Sequence, residues 1–125
     1  MLDNLAIVVN DQLKLEYDRA KELPENQQQY LSNIDQKFSS GLELQGEQID
    51  KPTIEQKARY MSLILMESII YQEDDKAAVS MAWLATRLPD LKQLKATVDE
   101  QGTQFELIFD REYKPHQVVD FDGLN

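Results

Sequence analysis

The residue types that most often carry chemistry are sparse in this chain, whose single histidine lies near the C-terminus. His116, Asp120 and Asp122 offer one imidazole nitrogen and two carboxylates, a ligand set that suits a divalent metal ion. Their spacing matches no diagnostic metal motif, so the ordinary alternative is a solvent-exposed histidine among surface acids. A small metal-dependent or acid–base enzyme using this cluster is therefore an alternative hypothesis for function.

Glu67 is the acidic side chain inside the apolar stretch from Met61 to Tyr71. A buried glutamate can act as a general acid or base. The competing interpretation is a helix face that turns to solvent, or an ion pair with another element. We favour this second interpretation and assign no catalytic residue.

Several enzyme classes are excluded by what the sequence lacks. With no cysteine, the chain has no disulfide framework, thiolate zinc site, iron–sulfur cluster or thiol nucleophile. It also has no G-x-S-x-G, G-x-x-x-x-G-K-[ST] or G-x-G-x-x-G motif. We therefore expect no cofactor, and nucleotide-binding and triad enzymes of the common kinds do not fit.

Trp83 is the candidate anchor for a partner protein. It lies off the small-residue face from Ala78 to Ala85, and an exposed tryptophan beside alanines can bind a partner or a second copy of the chain. The competing interpretation is that Trp83 is a core residue. The candidate partner-binding residues on the middle helices and the hairpin are Trp83, Met81, Arg87, Phe105 and Phe109.

The formal net charge of −10 is unevenly distributed. Residues 1–50 carry a net charge of −6, residues 51–95 carry +1 and residues 96–125 carry −5. Acidic ends repel nucleic acid phosphates and anionic membranes and favour encounter with a basic protein. The N-terminus lacks the basic start of a secretory signal, and no apolar stretch reaches the roughly 20 residues needed to cross a bilayer. We expect a cytoplasmic protein.

The apolar spacing predicts helices over most of the first 88 residues. Leu2, Leu5, Val9, Leu13 and Tyr17 recur at spacings of three and four, which predicts a first helix ending before Pro24. A second helix is predicted from Pro24 to a stop at residues 39–41. Residues 41–52 read as a connector that contains a very short strand.

A third and a fourth helix follow the connector. Thr53 and Gln56 form a capping-box pattern that opens the third helix, and residues 76–88 form the fourth. Alternating apolar residues on either side of Gly102 then predict a hairpin over 93–110. The sequence thus predicts one domain, 1–125, of α+β class: about four packed helices, a C-terminal β-hairpin and a partly docked tail, 111–125.

The order of two helices and a hairpin from Thr53 to Asp110 has the outline of a winged helix. Its phosphate contacts would be Lys76, Arg87, Lys92 and Lys95. The second helix reads as core, however, and the flanking acids oppose phosphate binding. A DNA-binding regulator is therefore a second alternative.

The sequence favours a small acidic, non-enzymatic protein that binds another protein as an adaptor, regulator or inhibitor. Its interaction surface is expected on the middle helices or the hairpin edge, with the acidic ends steering a basic partner. Self-association as a homodimer through the same surface is a further expectation.

Overall fold

The structure is a computed structural model that describes residues 4–44 and 46–113. The described chain runs β1 (Leu5–Val9), β2 (Gln12–Tyr17), α1 (Glu25–Phe38), β3 (Leu42–Leu44), β4 (Glu47–Ile49), α2 (Ile54–Ile70), α3 (Asp74–Arg87), β5 (Gln93–Asp99) and β6 (Gly102–Ile108). It divides into two compact units. A sheet unit contains the described residues up to Asp18 and from Asp90 onward, and a helical unit spans Arg19–Pro89.

The sheet unit is a four-stranded sheet with strand order β2-β1-β5-β6. β1 pairs antiparallel with β2 and parallel with β5, so strands from the two ends of the described chain form the centre of the sheet. Leu5, Ala6, Ile7 and Val8 are all buried, so side chains on both faces of this central strand are covered. The backbone N–H of Val98 also donates to Asn10 Oδ1 at 2.9 Å, which ties the first turn to β5.

This architecture shows that the predicted fold of four helices and a C-terminal hairpin is wrong, although the class is α+β. The described residues contain three helices and six strands in two sheets, with strands first and helices in the middle. The error lies in the first segment, which is a hairpin and not a helix. Asn10 and Asp11 both have positive φ, 49° and 67°, which is the geometry of a two-residue hairpin turn.

The helical unit begins with α1, which occupies the place predicted for the second helix. Pro24 directly precedes it, and its carbonyl accepts hydrogen bonds from the N–H groups of Gln27 and Gln28. The helix ends before Gly41, whose φ is +97°. A Cβ at Gly41 would lie 2.6 Å from the carbonyl oxygen of Ile49, so this position requires glycine.

The helix α2 opens with the predicted capping box. The Gln56 N–H donates to Thr53 Oγ1 at 3.1 Å, and the Thr53 N–H donates to Gln56 Oε1 at 2.8 Å. A turn in which Gln72 has φ +58° follows α2. The helix α3 then starts with Asp74 and Asp75 in its first turn, where the positive end of the helix dipole favours negative charge. The two helices pack extensively against each other.

Two further predictions concern the connector and the hairpin. Leu42–Leu44 and Glu47–Ile49 pair antiparallel as the two-stranded ribbon β3–β4, so the connector contains two short strands and not one. The hairpin of β5 and β6 is confirmed, with Gly102 at φ +124° in its turn, but it belongs to the larger sheet.

In the part of the chain that the structure describes, no helix is both long and apolar enough to cross a membrane. The cytoplasmic location stays a prediction, as does the single domain.

The left-handed backbone at Asp11 generates the first testable prediction. A β-branched residue is disfavoured at positive φ, so Asp11→Val should lower the free energy of unfolding by about 1–2 kcal/mol in urea denaturation. The exposed Asp11–Lys95 pair, at 3.8 Å, adds little to that loss.

Gln12→Val provides the matched control, because Gln12 is an exposed residue of β2 with ordinary strand geometry. This substitution should change stability by less than about 0.5 kcal/mol. Equal losses at positions 11 and 12 would contradict the hairpin turn at Asn10-Asp11.

Candidate functional site

Trp83 lies in the core of the helical unit. Its exposed fraction is 0%, and its Nε1–H donates to Asp35 Oδ1 at 2.8 Å. The ring also meets Phe38 edge-on, with the ring centroids 5.7 Å apart. The alternative in which Trp83 is an exposed anchor therefore does not hold, and the tryptophan fixes α3 against α1.

Asp35 also joins α1 to α3 by accepting hydrogen bonds from Arg87. Arg87 Nε donates to Asp35 Oδ2 at 3.0 Å, and the Arg87 guanidinium also reaches the same oxygen through Nη2. Partial burial works to raise the pKa of Asp35, but hydrogen bonds from Arg87 and Trp83 and the charges of Arg87 and Lys57 outweigh it. The pKa of Asp35 consequently lies below its ordinary value.

The remaining predicted site residues belong to different parts of the chain. Met81 on α3 is half-buried in the helical unit, whereas Phe105, half-buried, and Phe109, exposed, belong to the sheet unit. Glu67 is exposed on α2, so it lacks the buried environment that an acid–base role would use. His116, Asp120 and Asp122 lie outside the described residues.

The four basic residues considered for DNA binding are divided between the two units. Lys76 Nζ lies 3.5 Å from Glu73 Oε1, Arg87 is paired with Asp35, and Lys95 Nζ lies 3.8 Å from Asp11 Oδ1. The helix α3, which would enter the groove of a duplex, buries a large part of its surface; its buried residues are Ala77, Ser80, Ala82, Trp83, Leu84 and Ala85. These features do not favour phosphate contact.

The helical unit contains an open groove with a volume of about 740 Å³. One wall is the face of α1 that carries Tyr30, Ile34 and Phe38, at successive spacings of four residues. A second part of the lining is the face of α2 that carries Tyr60 and Ile64, and α3 contributes Ala78, Val79 and Ser80. Tyr30 is 61% exposed, so the lining includes an aromatic side chain that already stands in solvent.

The groove also has charged lining residues, which come from two places in the helical unit. Lys37 is next to Phe38 in α1, whereas Glu67, Asp75 and Lys76 come from the end of α2 and the beginning of α3. Gly41 and Leu42, just after α1, also line the groove. An apolar groove with charged residues in its lining can hold apolar side chains of a ligand and orient the groups beside them.

The sequence indicates an apolar face on α1, but it does not show whether that face is buried or lines a groove. The repeat of Tyr30, Ile34 and Phe38 predicts an apolar helix face, which is the same signal that a fully buried face gives. Phe38 is indeed buried and meets Tyr60 at 5.7 Å, yet Tyr30, two turns earlier on the same face, is exposed. Only the tertiary packing of α1 shows that this face is partly exposed and not fully buried.

Within residues 4–44 and 46–113, no three side chains of the metal-binding types are grouped closely enough to hold a metal ion.

Comparisons of the chain with models of protein families, with curated proteins and with solved structures found no match.

Burial of Trp83, the chain's one tryptophan, predicts a specific fluorescence result. Its emission should be blue-shifted, and acrylamide should quench the folded protein several-fold less than the protein in 6 M guanidinium chloride. Equal quenching in the folded and unfolded protein would contradict the core position of this side chain.

Asp35 supports a stability prediction because its removal leaves the indole N–H of Trp83 without an acceptor. Asp35→Ala should lower the free energy of unfolding by about 2–3 kcal/mol. Glu100→Ala, in the exposed turn between β5 and β6, should change it by less than about 0.5 kcal/mol. Similar losses in the two variants would contradict the role of Asp35.

The lowered pKa of Asp35 also predicts a pH dependence. A group with a depressed pKa in the folded state stabilises the protein above its unfolded-state value, about 3.9, and this stabilisation is lost as pH falls through the folded-state pKa. The stability difference between the wild type and Asp35→Asn should stay constant from pH 7 to about pH 5 and shrink below about pH 4. A difference that grows on acidification would contradict the assignment.

Proposed function

We propose that this chain is a non-enzymatic protein-binding module whose helical unit takes apolar side chains of a partner protein into the groove between α1 and α2. The observation that carries the proposal is the open groove of about 740 Å³, lined by Tyr30, Ile34, Phe38, Tyr60 and Ile64. Its size lies within the roughly 300–1,000 Å³ typical of binding pockets.

The walls of the groove are held in place before any partner arrives. The carboxylate of Asp35 connects α1 to Trp83 and Arg87 of α3, while the Phe38 ring packs between Trp83 and Tyr60. A preformed site spares the partner part of the entropy cost of ordering the protein on binding. Rigid walls therefore support binding as the role of this unit.

A protein fits this surface better than a small molecule because the apolar surface continues beyond the groove. Ile70 and Tyr71, at the end of α2, are 59% and 70% exposed. Tyr71 lies four residues beyond Glu67, so it continues the groove-lining stripe of α2 by one turn. Exposed tyrosines around an apolar centre are typical of protein interfaces.

The net charge of −10 supports a basic partner, because opposite charges accelerate encounter between proteins. A second copy of the chain would meet like charge, which opposes self-association at low salt. A heterologous partner is accordingly favoured over the predicted homodimer in this proposal.

A peptide selection tests the groove directly. A phage-displayed library of helix-forming peptides, panned on the wild-type protein, should yield sequences with large apolar residues three or four positions apart. Tyr30→Lys places a charge at the mouth of the groove without touching the buried core, and it should weaken binding of the selected peptides at least tenfold.

Phe109→Lys is the matched control, because Phe109 is also an exposed aromatic residue and belongs to the hairpin surface. It should leave peptide affinity within twofold of the wild type. Loss of binding in Phe109→Lys with no change in Tyr30→Lys would move the interaction surface to the hairpin and contradict the groove.

A further inference from the structure

The two ends of the groove carry opposite charge, and this difference restricts the partner that the proposed function requires. At one end, Lys37 adjoins Phe38, and Lys57 Nζ lies 5.9 Å from the centre of the Phe38 ring. Phe38 in turn meets Tyr60, which places this basic end beside the first part of α2.

The other end is acidic. Glu67 lies in the last part of α2, and the last turn of that helix carries no basic residue to offset the negative end of its dipole. Asp75, from the first turn of α3, lines the same end. Lys76 also lies there, but its charge is offset by Glu73 at 3.5 Å. Glu67 and Asp75 are both exposed and free to meet a cation.

The distance between the ends indicates the form of the occupant. Glu67 lies seven positions after Tyr60 on α2, or about 10 Å along the helix at 1.5 Å per residue. A strand of this length presents about two side chains toward one face, since like-facing residues are about 6.7 Å apart. A helix presents three over the same length, at positions i, i+4 and i+7, and so fills an apolar groove better.

We infer that the occupant is an amphipathic helix of a partner protein, two to three turns long, with a basic residue at one end of its apolar stripe and an acidic residue at the other. The basic end lies against Glu67 and Asp75, and the acidic end lies against Lys37. The apolar stripe supplies the contact with Ile34 and Ile64, while the end charges fix the direction in which the helix lies. This inference rests on the proposed function of the groove.

Three synthetic 14-residue helical peptides with the same apolar stripe test the inference. One carries lysine at one end and glutamate at the other, the second has lysine at both ends, and the third has glutamate at both ends. Fluorescence anisotropy at low salt should show the mixed peptide binding about three- to tenfold more tightly than either of the others, because exposed ion pairs contribute modestly. The preference should decline as salt rises.

A charge-neutralised groove provides the decisive comparison. In Glu67→Gln/Asp75→Asn, the mixed peptide and the double-glutamate peptide should bind equally well, since the acidic end is then neutral. The control variant Glu16→Gln/Glu100→Gln removes the same charge from exposed positions of the sheet unit and should keep the preference for the mixed peptide. If this control loses the preference too, the effect belongs to net charge and the inference is wrong.

Zero-length carbodiimide coupling checks the direction of the bound peptide. The lysine of the mixed peptide should become joined to Glu67 or Asp75, as located by mass spectrometry. Coupling to Asp35, which lies two residues before Lys37 and feels the charge of Lys57, would overturn the inferred direction.

Two kinds of failure are separable in these experiments. Equal affinity for all three peptides, with binding still lost in Tyr30→Lys, would overturn the charge inference and leave the proposed function in place. Absence of binding by all three peptides, or binding that Tyr30→Lys leaves unchanged, would overturn the proposed function itself.

Discussion

The carboxylate of Asp35 is the interaction on which the arrangement of the helical unit depends. Its two oxygens accept hydrogen bonds from the indole of Trp83 and the guanidinium of Arg87, so one side chain of α1 binds two successive turns of α3. Since Phe38, one turn after Asp35, packs against Trp83 and Tyr60, the same contact sets the position of α1 relative to α2. The width of the groove follows from this anchoring.

The groove exists because neighbouring faces of α1 differ in burial. Leu31 and Phe38 are buried and Asp35 is bound by α3, whereas Tyr30, next to Leu31, stands exposed. An apolar face that is buried along its whole length stabilises a fold but offers nothing to a partner. A face that is buried at one end and exposed at the other stabilises the fold and also offers an apolar surface to a partner. This partial exposure is the physical basis of the proposed binding function.

Several elements could be predicted from local sequence because their determinants are local. The capping box of Thr53 and Gln56 opens α2, Pro24 and Gly41 limit α1, and Gly102 marks the turn of the last hairpin. The first hairpin was missed. Its apolar residues fit a helical spacing, and the signals against a helix were the β-branched run Ile7-Val8-Val9 and the Asn10-Asp11 turn. Pairing of β1 with β5, distant in sequence, decided the outcome.

By itself the sequence determined the acidic character of the chain, the exclusion of cysteine and phosphate-loop chemistry, and the two central helices with the hairpin that follows them. Only the tertiary structure decided that Trp83 is an internal residue and that Tyr30 is a surface residue, although both belong to apolar helix faces. The physical reason is that periodicity reports which residues share a face, whereas exposure depends on what packs against that face. For this protein, the acceptor supplied by Asp35 keeps the tryptophan inside, and the exposed Tyr30 end of one face of α1 leaves room for a partner.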